Sequence, residues 1–132
     1  TTIPGLTVDN IVEGDSYSCE LSVPTSYLAR MGWTDLSGTV LHGTIYRTSE
    51  DGTGTASAVL TEGVDPKVSH SATLTNFIIS WTTFPTGLVL TSPERTAGFA
   101  ACRVEVQATK AGKTLTILYN APFTVYRQDD ET

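Results

Sequence analysis

Asp15-Ser16-Tyr17-Ser18-Cys19-Glu20-Leu21-Ser22-Val23 alternates apolar and polar side chains without a break. A period of two is that of a strand with one face buried and the other in water. Tyr17, Cys19, Leu21 and Val23 point inward on this pattern, and Pro24 ends the run because it cannot donate to a ladder. Nothing in the neighbouring sequence sustains the 3.6-residue period of a helix, so the question is how many such strands follow.

Residues 24–38 form a long connection with room for one helical turn over 27–31, closed by Thr34-Asp35-Leu36-Ser37-Gly38, a good turn sequence. A second strand is predicted over 39–48, carrying Val40, Leu41, Ile45 and Tyr46. Glu50-Asp51-Gly52-Thr53-Gly54 follows as a hairpin tip, with a weaker returning strand over 56–61. Residues 62–70 are polar, contain Pro66 and are expected to be loop. Residues 72–81 again alternate, with Thr73, Thr75, Phe77, Ile79 and Trp81 on one face. Phe84-Pro85-Thr86-Gly87 breaks that run; residues 88–90 read as a short strand or extended connection, and Ser92-Pro93-Glu94-Arg95 as a turn opening one helical turn. The last two strands, 99–109 and 114–126, flank Lys110-Ala111-Gly112-Lys113; in the first, Ala100, Cys102, Val104, Val106 and Ala108 alternate with Arg103, Glu105 and Gln107. Strands recurring about every 10–15 residues with turns between them predict an all-β, antiparallel sandwich.

At 132 residues the chain is expected to be a single domain. Residues 1–14 hold Ile3, Leu6, Val8 and Ile11, and serve either as an N-terminal edge strand or as an arm that docks on a neighbour; residues 127–132 make an acidic tail. The net charge of −6, with eight basic residues dispersed, argues against nucleic acid. No apolar run approaches the roughly 20 residues of a membrane helix. The opening residues lack a signal peptide's basic and apolar regions, so the chain is either made without secretion or begins after a removed leader; the two leading threonines fit loss of an initiator methionine.

Catalytic signatures are missing from the pattern, and the chain is expected not to be an enzyme. Ala111-Gly112-Lys113-Thr114 imitates the end of a P-loop, but the required earlier glycine is Gln107 and the lysine lies in a hairpin. His42 and His70, the two histidines, adjoin no nucleophile elbow or paired carboxylate. No Cys or His pair has metal-ligand spacing, and Glu50-Asp51-Gly52 lacks the acid spacing of a calcium loop. No cofactor is therefore expected. Tyr27, Met31 and Trp33 in the first long loop, and Phe84 and Leu88 in the second, are candidate contact residues alongside Ile3, Leu6 and Val8; packing of the loop aromatics on their own domain is the competing expectation.

Two resemblances sharpen this outline. Cys19, Trp33 and Cys102, in that order, resemble an immunoglobulin domain, in which a disulfide joins the two sheets over a tryptophan; this implies an immunoglobulin-like sandwich of about seven to nine strands. The reading favours two buried thiols at Cys19 and Cys102 over a bridge. The order of Gly14-Asp15-Ser16-Tyr17, Asp35-Leu36-Ser37-Gly38, the lysine-glycine hairpin and Phe123-Thr124-Val125 is similar to small β-sandwich virion proteins of tailed bacteriophages, such as capsid decoration (cement) proteins and the N-terminal domains of baseplate upper proteins. That resemblance spans about residues 11–126. It implies a structural role in a virion assembled in the host cytoplasm, with major capsid or tail and baseplate proteins as partners, homo-oligomers included, and no catalytic residues. A secreted or surface immunoglobulin-like module that binds a protein or glycan is the alternative.

Overall fold

The computed structural model describes residues 10–47 and 57–128. Eight strands lie among them: β1 (Ile11–Val12), β2 (Tyr17–Ser22), β3 (Val40–Arg47), β4 (Ala58–Thr61), β5 (Lys67–His70), β6 (Asn76–Trp81), β7 (Phe99–Lys110) and β8 (Lys113–Tyr126). Two short helices, α1 (Thr25–Leu28) and α2 (Ser92–Ala97), and 3-10 turns at Ala29–Met31 and Thr86–Leu88 complete the connections. The fold is all-β, as the alternation predicts.

The strands form two sheets. One has five strands in the order β1-β8-β7-β3-β4, the other three in the order β2-β6-β5. Every pairing is antiparallel except β1 with β8, where Ile11 lies beside Val125 and Val12 beside Tyr126. Burial follows the period of two in each long strand: Leu41, Gly43 and Ile45 of β3 turn inward, as do Ala100, Cys102, Val104, Val106 and Ala108 of β7. From the smaller sheet come Cys19, Leu21, Val68, Phe77, Ile79 and Trp81, and residues of both sheets share one hydrophobic cluster. Burying these side chains contributes about 1.5–3 kcal/mol each, which is what holds two amphipathic sheets face to face.

Local geometry marks the ends. β7 and β8 are joined by a two-residue turn in which Ala111 and Gly112 both have positive φ, 53° and 79°, the backbone of a type I′ hairpin. Further along β8, Asn120 at φ 54° forms a bulge that interrupts the β7 pairing between Val104 and Val106. Gly43 runs so close to its neighbour that a Cβ would stand 2.7 Å from the Glu105 carbonyl oxygen; a side chain there would wedge β3 from β7.

Two segments differ from the sequence expectation. Residues 67–70, expected as loop, form β5, an edge strand whose one inward residue, Val68, is too short a pattern to show a period. β6 begins at Asn76, not at residue 72: Thr73 and Thr75 precede it in a turn closed by the Thr73 carbonyl and the Asn76 N–H. Of the two expectations for 88–90, a short strand or an extended connection, the structure takes the connection: Leu88 ends a 3-10 turn over Thr86–Leu88 and Val89 is extended. The expected hairpin tip at 50–54 lies outside the described residues; β3 and β4 on either side do pair antiparallel. At the N-terminus, residues 11–12 take the edge-strand role, and Ile3, Leu6 and Val8 lie outside the described residues.

Candidate interaction surfaces

The aromatic-rich loops turn out to be internal. Leu88 is 1% exposed and Trp33 8%, so neither is available as a contact residue, and both belong to the core cluster. Their loops cover the ends of the sandwich, and covering requires an apolar underside. Tyr27, Met31 and Phe84 are half-buried and pack on the same core. The Tyr27 hydroxyl donates to the Thr116 carbonyl at 2.8 Å, fastening α1 to β8, and the Arg30 guanidinium lies over its ring. Phe84 meets Trp81 edge-on at 6.2 Å, while Tyr17 stacks on that indole at 4.9 Å. The Trp81 indole N–H donates to the Asp15 carbonyl, which ties the start of β2 to the end of β6.

The second loop is bolted down by charge. Arg47, at the end of β3, donates from Nε to Glu94, from Nη1 to the Ser57 hydroxyl and the Gly87 carbonyl, and from Nη2 to the Val89 carbonyl, all within 2.7–3.0 Å. Glu94 also accepts from the Thr91 N–H, one half of a capping box at the start of α2. Burial works to raise the Glu94 carboxyl, but the bonds from Arg47 and Thr91 and the Arg47 charge overcome it and hold the group below its ordinary value. Next to it, buried Glu13 accepts from the Leu90 N–H at 2.7 Å and from Arg95 at 2.9 Å, locking the entry to β2 against α2.

A Thr-His-Glu arrangement lies across the gap between the sheets. His70 Nε2 is 3.0 Å from the Thr39 hydroxyl and 3.1 Å from the Leu36 carbonyl, and its Nδ1 is 3.8 Å from Glu62. The resemblance to a catalytic triad ends with the protons. The Thr39 hydroxyl donates to the Leu36 carbonyl at 2.6 Å and is buried, so Nε2 acts as donor to it and not as a base. What this group does is join the segment before β3 and the one after β4 to the end of β5. His42 is simpler: exposed on β3, it bonds Gln107 on β7. On the smaller sheet, Glu20 is held below its ordinary value by hydrogen bonds from Asn76 and Ser71. Among the described residues no three His, Cys, Asp or Glu side chains gather where a metal ion could bind, and no helix is long and apolar enough to cross a membrane. Cys19 and Cys102 are buried thiols on opposite sheets.

Exposed apolar residues lie both in connections, at Val64, Leu74 and Val89, and on the five-stranded sheet. Val40 is 60% exposed, Val59 57%, Phe99 46% and Tyr126 45%. All four belong to the five-stranded sheet, at positions opposite in parity to its core residues, so they share its outer face. A shallow depression of about 380 Å³ lined by Val12, Gly98, Tyr126 and Arg127 opens beside the Tyr126 end. The inward parity of 99–109 made Arg103, Glu105 and Gln107 outward-facing from sequence alone; which strands stand beside them was not legible there, so the face as a whole was missed. No family model matches the chain, and no curated protein matches it.

Proposed function

We propose that this chain is a non-enzymatic structural component of a tailed-phage virion, a capsid decoration protein or a small tail or baseplate adaptor, working by protein–protein assembly. The observation that carries the proposal is the strand order. Lettering β2 to β8 as B, C, C′, D, E, F and G, the sheets read B-E-D and G-F-C-C′, the order of an immunoglobulin-like sandwich with a variable-type C′ strand. An immunoglobulin-like sandwich with a GD-aromatic entry and a lysine-glycine terminal hairpin ending in Phe123-Thr124-Val125 is the plan of those virion proteins. The surfaces support assembly: β4 and β5 are sheet edges, and open edges recruit strands of a neighbour. The test is attachment. Purified protein mixed with undecorated capsid shells, and separately with tails, is expected to co-sediment with one of them at a fixed ratio; a protein that ignores both sinks the proposal.

A second reading, a secreted or surface immunoglobulin-like module with a protein or glycan ligand, shares that strand order and has one further observation in its favour. Cys19 lies on B and Cys102 on F, the strands that the inter-sheet disulfide of antibody domains connects. Intact mass after alkylation, with and without reduction, separates the two: two alkylated thiols before reduction favour the virion reading, and a bridge favours the surface module.

A further inference from the structure

We propose that the outer edge of β2 is a strand-addition site, and that the strand it takes is residues 5–9 of a second copy of this chain. The inference is separate from the virion reading: it concerns contact between copies, and holds or fails whether or not the protein attaches to shells or tails.

The edge is identified by the direction of its main-chain groups. The Val23 N–H donates to the Thr75 carbonyl at 2.9 Å, in line with the β2–β6 register, so odd-numbered residues of β2 turn their N–H and C=O toward β6. Those of Ser18, Glu20 and Ser22 consequently point away from the sheet, and no bond among the described residues reaches them. Of the four edge strands β2 is the longest, six residues against two for β1 and four each for β4 and β5. The stretch of β8 that β1 leaves uncovered is closed by other means: the Thr116 carbonyl accepts from Tyr27, the bulge at Asn120 interrupts it, and Pro122 has no N–H to offer. β2 carries neither proline nor lysine, and its one charge, Glu20, is drawn back onto Ser71 and Asn76. It lacks the devices that guard natural edges.

The occupant follows from the chain that precedes the described residues. Gly5-Leu6-Thr7-Val8-Asp9 alternates apolar with polar or small residues. Run antiparallel with Asp9 opposite Ser18 and Gly5 opposite Ser22, it uses the whole edge, forms about six main-chain bonds and sets Leu6 and Val8 beside Leu21 and Cys19 on the core side. A slip of two residues one way puts Asp9 opposite Glu20; the other way carries Pro4 into the strand and Ile3 onto its water face.

The segment cannot serve its own copy in this way. Ile11 is buried beside Val125, so a chain continuing back along β8 would turn Leu6 and Val8 to water. Reaching its own β2 means crossing between sheets about 10 Å apart at no more than about 3.6 Å per residue, which takes about three residues. Asn10 is held at Thr124 on the five-stranded sheet, so Val8 and Asp9 would be spent on the way. The return crossing, from β1 to β2, takes residues 13–16. A second copy has no such tether. Donor and acceptor are different surfaces, so the contact is heterologous and propagates head to tail.

Full-length variants separate the two roles. Thr7→Pro removes the central N–H of the donor strand and leaves β2 intact; Glu20→Pro removes the central N–H of the edge, which β6 does not use, and leaves the donor intact. Far-UV circular dichroism verifies that each is folded. In sedimentation velocity the wild type is expected to associate reversibly with Kd of roughly 10–500 µM, and each variant alone about tenfold more weakly or less. Mixing the two variants is expected to give a 1:1 heterodimer that neither forms alone. Hydrogen exchange needs only the wild type and Thr7→Pro: the Ser18, Glu20 and Ser22 amides are expected to slow about tenfold with rising concentration in the wild type and to stay fast in the variant. A wild type that stays monomeric to about 1 mM overturns the proposal. So do amides protected equally at every concentration, which would put the chain's own segment on the edge, and a mixture of folded variants that stays monomeric.

Discussion

Arg47 gathers into one side chain most of what holds the second loop in place. Its side chain is 12% exposed and that of Glu94 17%, so the pair is largely withdrawn from water. Removing one partner of such a pair costs far more than the pair is worth, because the other charge and the accepting carbonyls stay behind unsatisfied. Arg47→Met is expected to lower unfolding stability by about 3 kcal/mol in urea denaturation, and Glu94→Gln added to it to recover part of that loss. A cost near zero for Arg47→Met would show that the loop is held by packing alone. The same pair gives a pH dependence whose sign is fixed. The folded Glu94 carboxyl lies below its ordinary 4.5, so its contribution is whole above pH 4.5 and fades as pH falls through the lower folded value. The exposed carboxylates Glu20 and Asp35 are held low as well, by side-chain hydrogen bonds, and add to the slope in the same direction. Stability of the wild type is therefore expected to fall below pH 4.5, and Arg47→Met, which removes the strongest bond to Glu94, to flatten that fall; an unchanged slope would contradict the assignment.

At the scale of the element, strands with a repeated inward pattern were legible, as was short β4 by its place after a hairpin tip, and β5 was not. β2, β3, β7 and β8 each offer three or more inward residues at a spacing of two, enough to declare a face. β5 offers only Val68 between polar residues and follows Pro66, so its sequence reads as loop; it becomes a strand because β6 presents an unpaired edge for it to join. The error at 72–75 has the opposite cause: threonine alternation imitates a strand, but the residues there are used up by the Ser71 and Thr73 turn. Loop aromatics mislead for a third reason, since composition cannot say whether an aromatic caps its own core or waits for a neighbour. Trp33 and Leu88 cap. If β5 is truly part of the sandwich, its single anchor must carry weight. Val68 is fully buried, and Val68→Ala is expected to cost about 2 kcal/mol and to speed hydrogen exchange of the 67–70 amides before those of β6. A cost below about 0.5 kcal/mol would mean that the segment behaves as the loop its sequence suggests.

For the whole molecule, the decisive connection is the one between its two ends. β1 is only two residues long, yet it is the one parallel pairing among the described residues, and it is reinforced on both sides: the Thr124 N–H donates to the Asn10 side chain and the Glu13 N–H to the Tyr126 carbonyl, each at 2.9 Å. Ile11 is buried beneath it, and Glu13 reaches across to Leu90 and Arg95. The sequence offered two roles for residues 1–14, edge strand and docking arm, and could not divide the segment because both need apolar residues. The described part of the segment, from Asn10 onward, takes the edge-strand role. A chain beginning at Asn10 keeps every bond named above, whereas one beginning at Gly14 loses the Ile11 burial and takes the Glu13 carboxylate away from the Leu90 N–H and from Arg95. The shorter chain is expected to be less stable by about 3–5 kcal/mol, and the chain from Asn10 to unfold cooperatively in thermal melts. That separation turns the arm into a measurable claim. If residues 1–9 dock on a neighbouring virion subunit, the chain from Asn10 stays folded but no longer co-sediments with the shells or tails that bind the full chain. Attachment that survives the cut assigns docking to the sheet edges instead, and loss of folding on removing 1–9 would make those residues part of the sandwich and end the arm hypothesis.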